Sequence, residues 1–259
     1  MKNRTKYALW ICVAVLTFVC LAITYGMGAK RSRESVCTGL NVIIADSTVN
    51  RFVSVKDISS LVIREYGKVN GMHTDSIDLN RIEKFAGSGN AVRTSEAYTT
   101  PDGKLNIRIT QRRPVVRFQN SRGGFYADED GFLFPLQKSF SAEVPIVEGA
   151  LPVNISDAAK GKMTNPRQEE WIMQIIGMVR SFDNDRRWKN CITQIHVNDH
   201  QELEVATRRG KEVFIFGQPT DIADKMDKME TYFRTILPSR NKPYAEVDLR
   251  FKGKILGKD

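Results

Sequence analysis

The 259-residue chain has a formal net charge of +9, which would ordinarily point to a nucleic-acid partner. Six basic and no acidic residues lie in positions 1–33, so only +3 remains for the rest of the chain. The remaining arginine pairs are scattered and are not interleaved with aromatic residues, which argues against a nucleic-acid interface. Four cysteines do not make a disulfide scaffold, and we expect Cys37 and Cys191 to be free, packed thiols.

Residues 7–27 contain no charged side chain and predict a single transmembrane helix. At ~1.5 Å per residue, about twenty residues cross the ~30 Å hydrocarbon core of a bilayer. A cleaved signal peptide is the alternative, but its apolar core is usually only about 7–15 residues long, and Met27-Gly28-Ala29 is a poor cleavage site. Residues 1–6 then form a tail and residues 28–35 a linker. Basic residues flank both ends of the helix, yet long domains translocate regardless of such charges, so we expect the N-terminus inside.

The next elements predict an α+β layer with two helices on a small sheet. A strand spans residues 36–45, and Ser54 with Asp57 is typical of the start of a helix. A second helix is expected to begin at Asn80, with Glu83 as the other half of its capping box. Alternating residues 92–98 and 105–109 around Pro101-Asp102-Gly103 then predict a β-hairpin.

A domain boundary is expected at Arg112-Arg113-Pro114, because proline lacks a ladder donor and holds the preceding residue extended. Helices are predicted after Asn165-Pro166 and after Asp221, the second ending at Leu237-Pro238. The last predicted strand covers residues 245–251, with Val247, Leu249 and Phe251 facing the core. The other predicted strands lie at residues 115–118, 124–126, 131–134, 144–147, 192–197, 203–207 and 213–216.

No catalytic or metal-binding group of residues emerges from the sequence. His196 and His200 have a spacing that suits two ligands on a helix, but they fall across a strand and its turn, with no third ligand nearby. Asp128-Glu129-Asp130-Gly131 lies between short strands and predicts a hairpin turn. No phosphate-binding loop or nucleophile elbow is present, so we expect neither an enzyme nor a cofactor.

Three short motifs in this order of elements carry a family resemblance. They are Gln111-Arg112-Arg113-Pro114, the Asp128 to Gly131 turn, and Val247-Asp248-Leu249-Arg250-Phe251. With one predicted span before them, they resemble the bacterial cell-division family FtsQ, called DivIB in other lineages, over nearly the whole chain.

The resemblance implies a POTRA domain at residues 36–111, a β domain at 112–251 and a tail at 252–259. It also implies a single-pass protein of the cell (inner) membrane with its C-terminal domain outside, acting as a non-enzymatic scaffold at the division septum. The implied partners are FtsB-like and FtsL-like division proteins. The implied contact is the end of the last strand and the residues directly after it, at Phe251, Lys252, Gly253, Lys254 and Ile255. A strand edge suits this role because it can accept a partner strand, although the lysines could instead protect the edge.

Two other functions stay open from the sequence. A POTRA-bearing component of outer-membrane protein transport would need a following run of barrel strands. A membrane-tethered cell-wall hydrolase would need a nucleophile, a metal or a carboxylate pair.

Overall fold

The structure, a computed structural model, describes residues 10, 13–23, 36–48, 51–121, 123–137, 140–153 and 160–259. Residues 10 and 13–23 of the predicted span are helical, while its other residues, the predicted tail 1–6 and the linker 28–35 lie outside the described part. Within the described ranges, no helix has both the length and the apolar character needed to cross a bilayer.

The first compact unit, Met1–Ser47 with Val53–Gln111, confirms the predicted order of strand, helix, helix, strand, strand. Its three-stranded sheet has the order β1-β3-β2, with β1 parallel to β3 and β2 antiparallel to it. Leu105, Ile107 and Ile109 of β3 are buried in a core that includes Ile58 and Ile82 from the two helices. The elements are β1 (Gly39–Ile44), α1 (Val55–Glu65), a 3₁₀ turn (Thr74–Ser76), α2 (Leu79–Gly87), β2 (Val92–Thr99) and β3 (Lys104–Gln111).

The start of α1 was predicted correctly and the start of α2 was not. Ser54 caps α1, and Ser54 and Asp57 form the reciprocal capping box. The cap of α2 is Asp78, whose carboxylate accepts from the Arg81 N–H at 3.0 Å, so the helix begins before Asn80. Glu83 instead accepts from the Ala97 N–H at 2.7 Å and ties α2 to β2.

The β2–β3 hairpin closes at the predicted turn, where the Asp102 carboxylate is held by two neighbours. The Thr100 hydroxyl donates to it at 2.5 Å, and the Lys104 ammonium lies 2.9 Å away. The hydrogen bond from Thr100, followed by the contacts of Lys104, lowers the pKa of Asp102 to about 2. Gly103 has φ +79, a conformation that glycine adopts without steric cost.

The second unit, Thr48–Phe52 with Arg112–Asp259, is built on one mixed sheet of nine strands in the order β12-β11-β10-β9-β8-β7-β4-β5-β6. The strands are β4 (Pro114–Asn120), β5 (Gly123–Asp128), β6 (Leu133–Pro135), β7 (Ile146–Gly149), β8 (Ile192–Val197), β9 (Leu203–Thr207), β10 (Val213–Gly217), β11 (Glu246–Asp248) and β12 (Leu256–Lys258). The helices are α3 (Pro166–Asn184) and α4 (Ile222–Thr231), and α4 continues into a π turn (Tyr232–Ile236) and a 3₁₀ turn (Leu237–Ser239) that contains Pro238.

Two β-α-β crossovers organise this sheet. β7 runs parallel to β8 with α3 between them in sequence, and β10 runs parallel to β11 with α4 between them. Parallel neighbours require such long connections, whereas β8, β9 and β10 form the predicted antiparallel meander. Asn165 caps α3 and Pro166 opens it, as predicted. The buried residues of α3 and α4, including Ile175, Val179 and Met229, share one core with the sheet.

Candidate partner-binding edge

The two C-terminal strands form one end of the nine-stranded sheet. β11 pairs in parallel with β10, and the chain then turns so that β12 pairs antiparallel with β11, placing Glu246 opposite Lys258 and Asp248 opposite Leu256. β12 is the outermost strand of the sheet on this side. Its outer backbone edge therefore has no neighbouring strand within the described residues.

The sequence predicted this edge one strand too early. Val247 and Leu249 are fully buried as expected, but Phe251 is 49 % exposed and the strand ends at Asp248. The strand ends because the Asp248 carboxylate accepts from the Arg250 N–H at 3.0 Å, which bends the chain into a turn. The expected open edge is wrong at Val247 and Asp248, where β12 pairs with β11, and residues 249–251 lie beyond the strand.

The five residues predicted for partner contact lie together in the turn between β11 and β12. Phe251, Lys252, Gly253 and Lys254 are exposed, whereas Ile255 is partly buried against the core of the second unit. The Lys254 N–H donates to the Phe251 carbonyl at 3.2 Å, and Gly253 has φ +67. The side chains of Lys252 and Lys254 have no hydrogen-bond or ion-pair partner in the part of the chain that the structure describes, so the turn presents two positive charges. Their contact with a partner stays a prediction.

Packing around Gly257 holds β12 in place. The Tyr244 ring lies directly against Gly257, so a side chain at that position would collide with the ring. The Arg240 guanidinium stacks 3.6 Å from the centre of the Tyr244 ring and donates to the Asp259 carboxylate at 2.6 Å. These contacts fix the last strand although it is only three residues long.

An ion-pair network crosses the sheet beside this edge. Arg250 donates to Asp248 at 2.6 Å and to Glu202 at 2.9 Å. Hydrogen bonds from Arg250 are the main cause that lowers the pKa of the Asp248 carboxyl, and those to Asp248 are the main cause that raises the pKa of Arg250. Asp248 and Arg250 therefore both stay charged near neutral pH, and the Arg250 side chain lies over Gly217, where a Cβ would contact it.

The acidic loop at Asp128 is a structured turn, as the sequence predicted. Asp128 is 1 % exposed, accepts from the N–H groups of Asp130 and Phe132 at 3.0 and 2.9 Å, and pairs with the Arg112 guanidinium at 2.6 Å. Arg112 also stacks 3.3 Å from the centre of the Phe132 ring. These contacts give Asp128 a role in folding.

His196 lies on β8, and His200 follows in the turn before β9. Among the described residues, no cluster of three His, Cys, Asp or Glu side chains could hold a metal ion. Cys37 and Cys191 are buried free thiols, as expected.

Sequence reasoning missed β12 and the residues around it. The available signal was local: Gly253 supplies a turn, and Ile255-Leu256 supplies two apolar residues directly after it. A three-residue strand is too short for an alternating pattern to reveal it.

Comparison with known families agrees with this architecture. A family model described as FtsQ/DivIB, C-terminal related, matches residues 113–257, and a model of a POTRA-like domain matches residues 35–110. No curated protein matches the sequence. The chain is therefore a protein of the class in which a POTRA-like domain precedes a domain built on a mixed β-sheet.

Because the first model covers more than half of the 259 residues, the chain belongs to the FtsQ/DivIB family. This is a family of non-enzymatic cell-division proteins, and its domains indicate a scaffold role at the division septum.

Proposed function

We propose that this protein is a membrane-anchored scaffold of the bacterial division machinery that binds FtsB-like and FtsL-like partners along β12. The outer edge of β12 is the observation that carries the proposal. A partner segment in extended conformation can add there as a further strand, with main-chain hydrogen bonds supplying affinity and side-chain contacts supplying specificity.

The side chains around β12 suit such a partner. Only three large hydrophobic side chains of the second unit are strongly exposed among the described residues: Met173, Phe251 and Leu256. Two of the three lie at β12 or in the turn that leads to it. Lys252 and Lys254 add positive charge to the same turn, so the favoured partner segment carries apolar and acidic side chains.

The anchor is part of the proposal. Residues 7–27 form an uncharged stretch of membrane-spanning length, and the helical residues 13–23 lie inside it. We expect the N-terminus in the cytoplasm and the folded units outside, because long domains translocate largely regardless of flanking charge. A reporter fused after Asp259 should then be active only outside the cytoplasm, and activity in the cytoplasm would refute this orientation.

The partner site can be tested by capture with the full-length chain as bait and the FtsB-like and FtsL-like proteins of the same genome as prey. Removing residues 256–259 deletes β12 but keeps the predicted contact residues of the turn, and it should abolish capture. Phe251→Ala and Leu256→Ala should weaken capture, whereas Met173→Ala, the matched loss of an exposed apolar side chain, should not. Full capture by the shortened chain, with unchanged tryptophan fluorescence of the fold, would disprove binding at this edge.

A further inference from the structure

Helix α4 places two lysines inside the second unit. Lys225 is 6 % exposed and Lys228 is 7 % exposed, and their spacing puts both on one side of the helix. A buried ammonium group is costly unless acceptors replace its water. Lys225 donates to the Gln218 carbonyl at 2.7 Å, in the segment that follows β10. Burial accordingly lowers the pKa of Lys225.

Lys228 has a different set of acceptors. It donates to the Leu249 carbonyl at 3.1 Å and to the Phe251 carbonyl at 2.8 Å, and it lies 2.7 Å from the Asp224 carboxylate. An ammonium group has three N–H donors, so these three acceptors satisfy it completely. Two of the three belong to the stretch where the chain leaves β11 and turns toward β12.

This stretch needs support from outside the sheet. The regular pairing of β11 with β10 ends at Asp248, and the Leu249 N–H still reaches the Ile215 carbonyl at 3.0 Å. Beyond that point the ammonium of Lys228 binds the carbonyls on both sides of Arg250 and fixes the direction in which the chain leaves. The path of the chain after β11 determines the position of β12, because only a short turn separates Phe251 from Leu256.

We propose that Lys228 is the positioning residue of the partner-binding edge: its ammonium holds the Leu249 and Phe251 carbonyls so that the turn and β12 are presented in the geometry a partner strand requires. The inference rests on the proposed function, to which it adds an internal residue that does not itself touch the partner. Hydrogen bonds to a charged group are among the stronger ones in proteins, so losing both should loosen the turn selectively.

The test compares Lys228→Met with Lys225→Met in the full-length chain. Both changes remove one buried ammonium from the same helix. Only Lys228→Met removes the hydrogen bonds to the Leu249 and Phe251 carbonyls, where the chain leaves β11. Hydrogen exchange of peptides covering residues 249–258 should become about tenfold to a hundredfold faster in Lys228→Met and stay unchanged in Lys225→Met. A general structural role would instead lower thermal stability in both variants without singling out this segment.

Capture of the FtsB-like protein provides the second measurement. Lys228→Met should weaken it about tenfold or more, as expected when an interface loses its preorganised conformation, and Lys225→Met should match the unmodified chain. Unchanged exchange at residues 249–258, or unchanged capture by Lys228→Met, would overturn the inference. Failure of the unmodified chain to capture the partner would instead overturn the proposed function, and faster exchange in Lys228→Met would then still uphold its role in holding the turn.

Discussion

Replacing Asp128 by alanine should destabilise the second unit by about 3–5 kcal/mol, the usual cost of removing one partner from a buried ion pair. The Arg112 side chain is only 13 % exposed and would lose the carboxylate that now lies 2.6 Å from its guanidinium. The change also removes the hydrogen bonds that the Asp128 carboxylate accepts from the N–H groups of Asp130 and Phe132. In a unit of this size, each kcal/mol of lost stability lowers Tm by about 2–4 °C, so the expected fall in Tm is roughly 6–20 °C.

Tryptophan fluorescence during heating measures this loss in the full-length chain, because Trp171 and Trp188 lie in the second unit and the residues of the first unit at 36–111 contain no tryptophan. Asp128→Asn keeps an oxygen that can accept from the two N–H groups, so its effect should be smaller than that of alanine. Asp199→Ala, at an exposed turn, is the control and should stay within about 0.5 kcal/mol of the unmodified chain. If Asp128→Ala melts like the control, the buried pair does not stabilise this fold.

Three further predictions concern single residues. Ser54→Ala should cost the first unit about 1 kcal/mol by removing the cap of α1, seen as faster hydrogen exchange in that helix, whereas Ser60→Ala in the same helix should be neutral or stabilising. Because the pKa of Asp102 is lowered to about 2, its contacts should stabilise the folded state above pH about 4 and lose that effect as the pH falls through about 2; a carboxyl NMR titration with a midpoint near 4 would contradict this. Gly257→Ala should displace β12 because the Tyr244 ring occupies the required space, and slow exchange retained at residues 256–258 would argue against it.

Local signals in the sequence were sufficient for most elements. The β2–β3 hairpin, the Ser54 cap and the Asn165-Pro166 helix start each depend on residues a few positions apart, which a single sequence displays. The start of α2 was wrong because Asp78 and Asn80 are both good caps, and only the folded chain shows which one the helix uses.

Long-range pairing was less accessible. The parallel neighbours β10 and β11 are separated in sequence by α4, and no local sequence pattern predicts that they pair. The candidate edge depends on that pairing and on β12, so the sequence assigned the open edge to the strand that was predicted to end at Phe251, whereas β12 is the outermost strand. Lys228 could not be recognised as a buried residue, because a lysine on a helix is normally solvated.

The most direct test of the proposed partner site is photo-crosslinking in dividing cells, with a photoreactive residue placed at Lys258 of β12 and, as control, at the exposed Asp199 in the turn between β8 and β9. We predict a crosslink from position 258 to the FtsB-like protein that is lost in the Lys228→Met variant. Equal crosslinking from both positions, or crosslinking from position 199 alone, would contradict the assignment of the partner to the β12 edge.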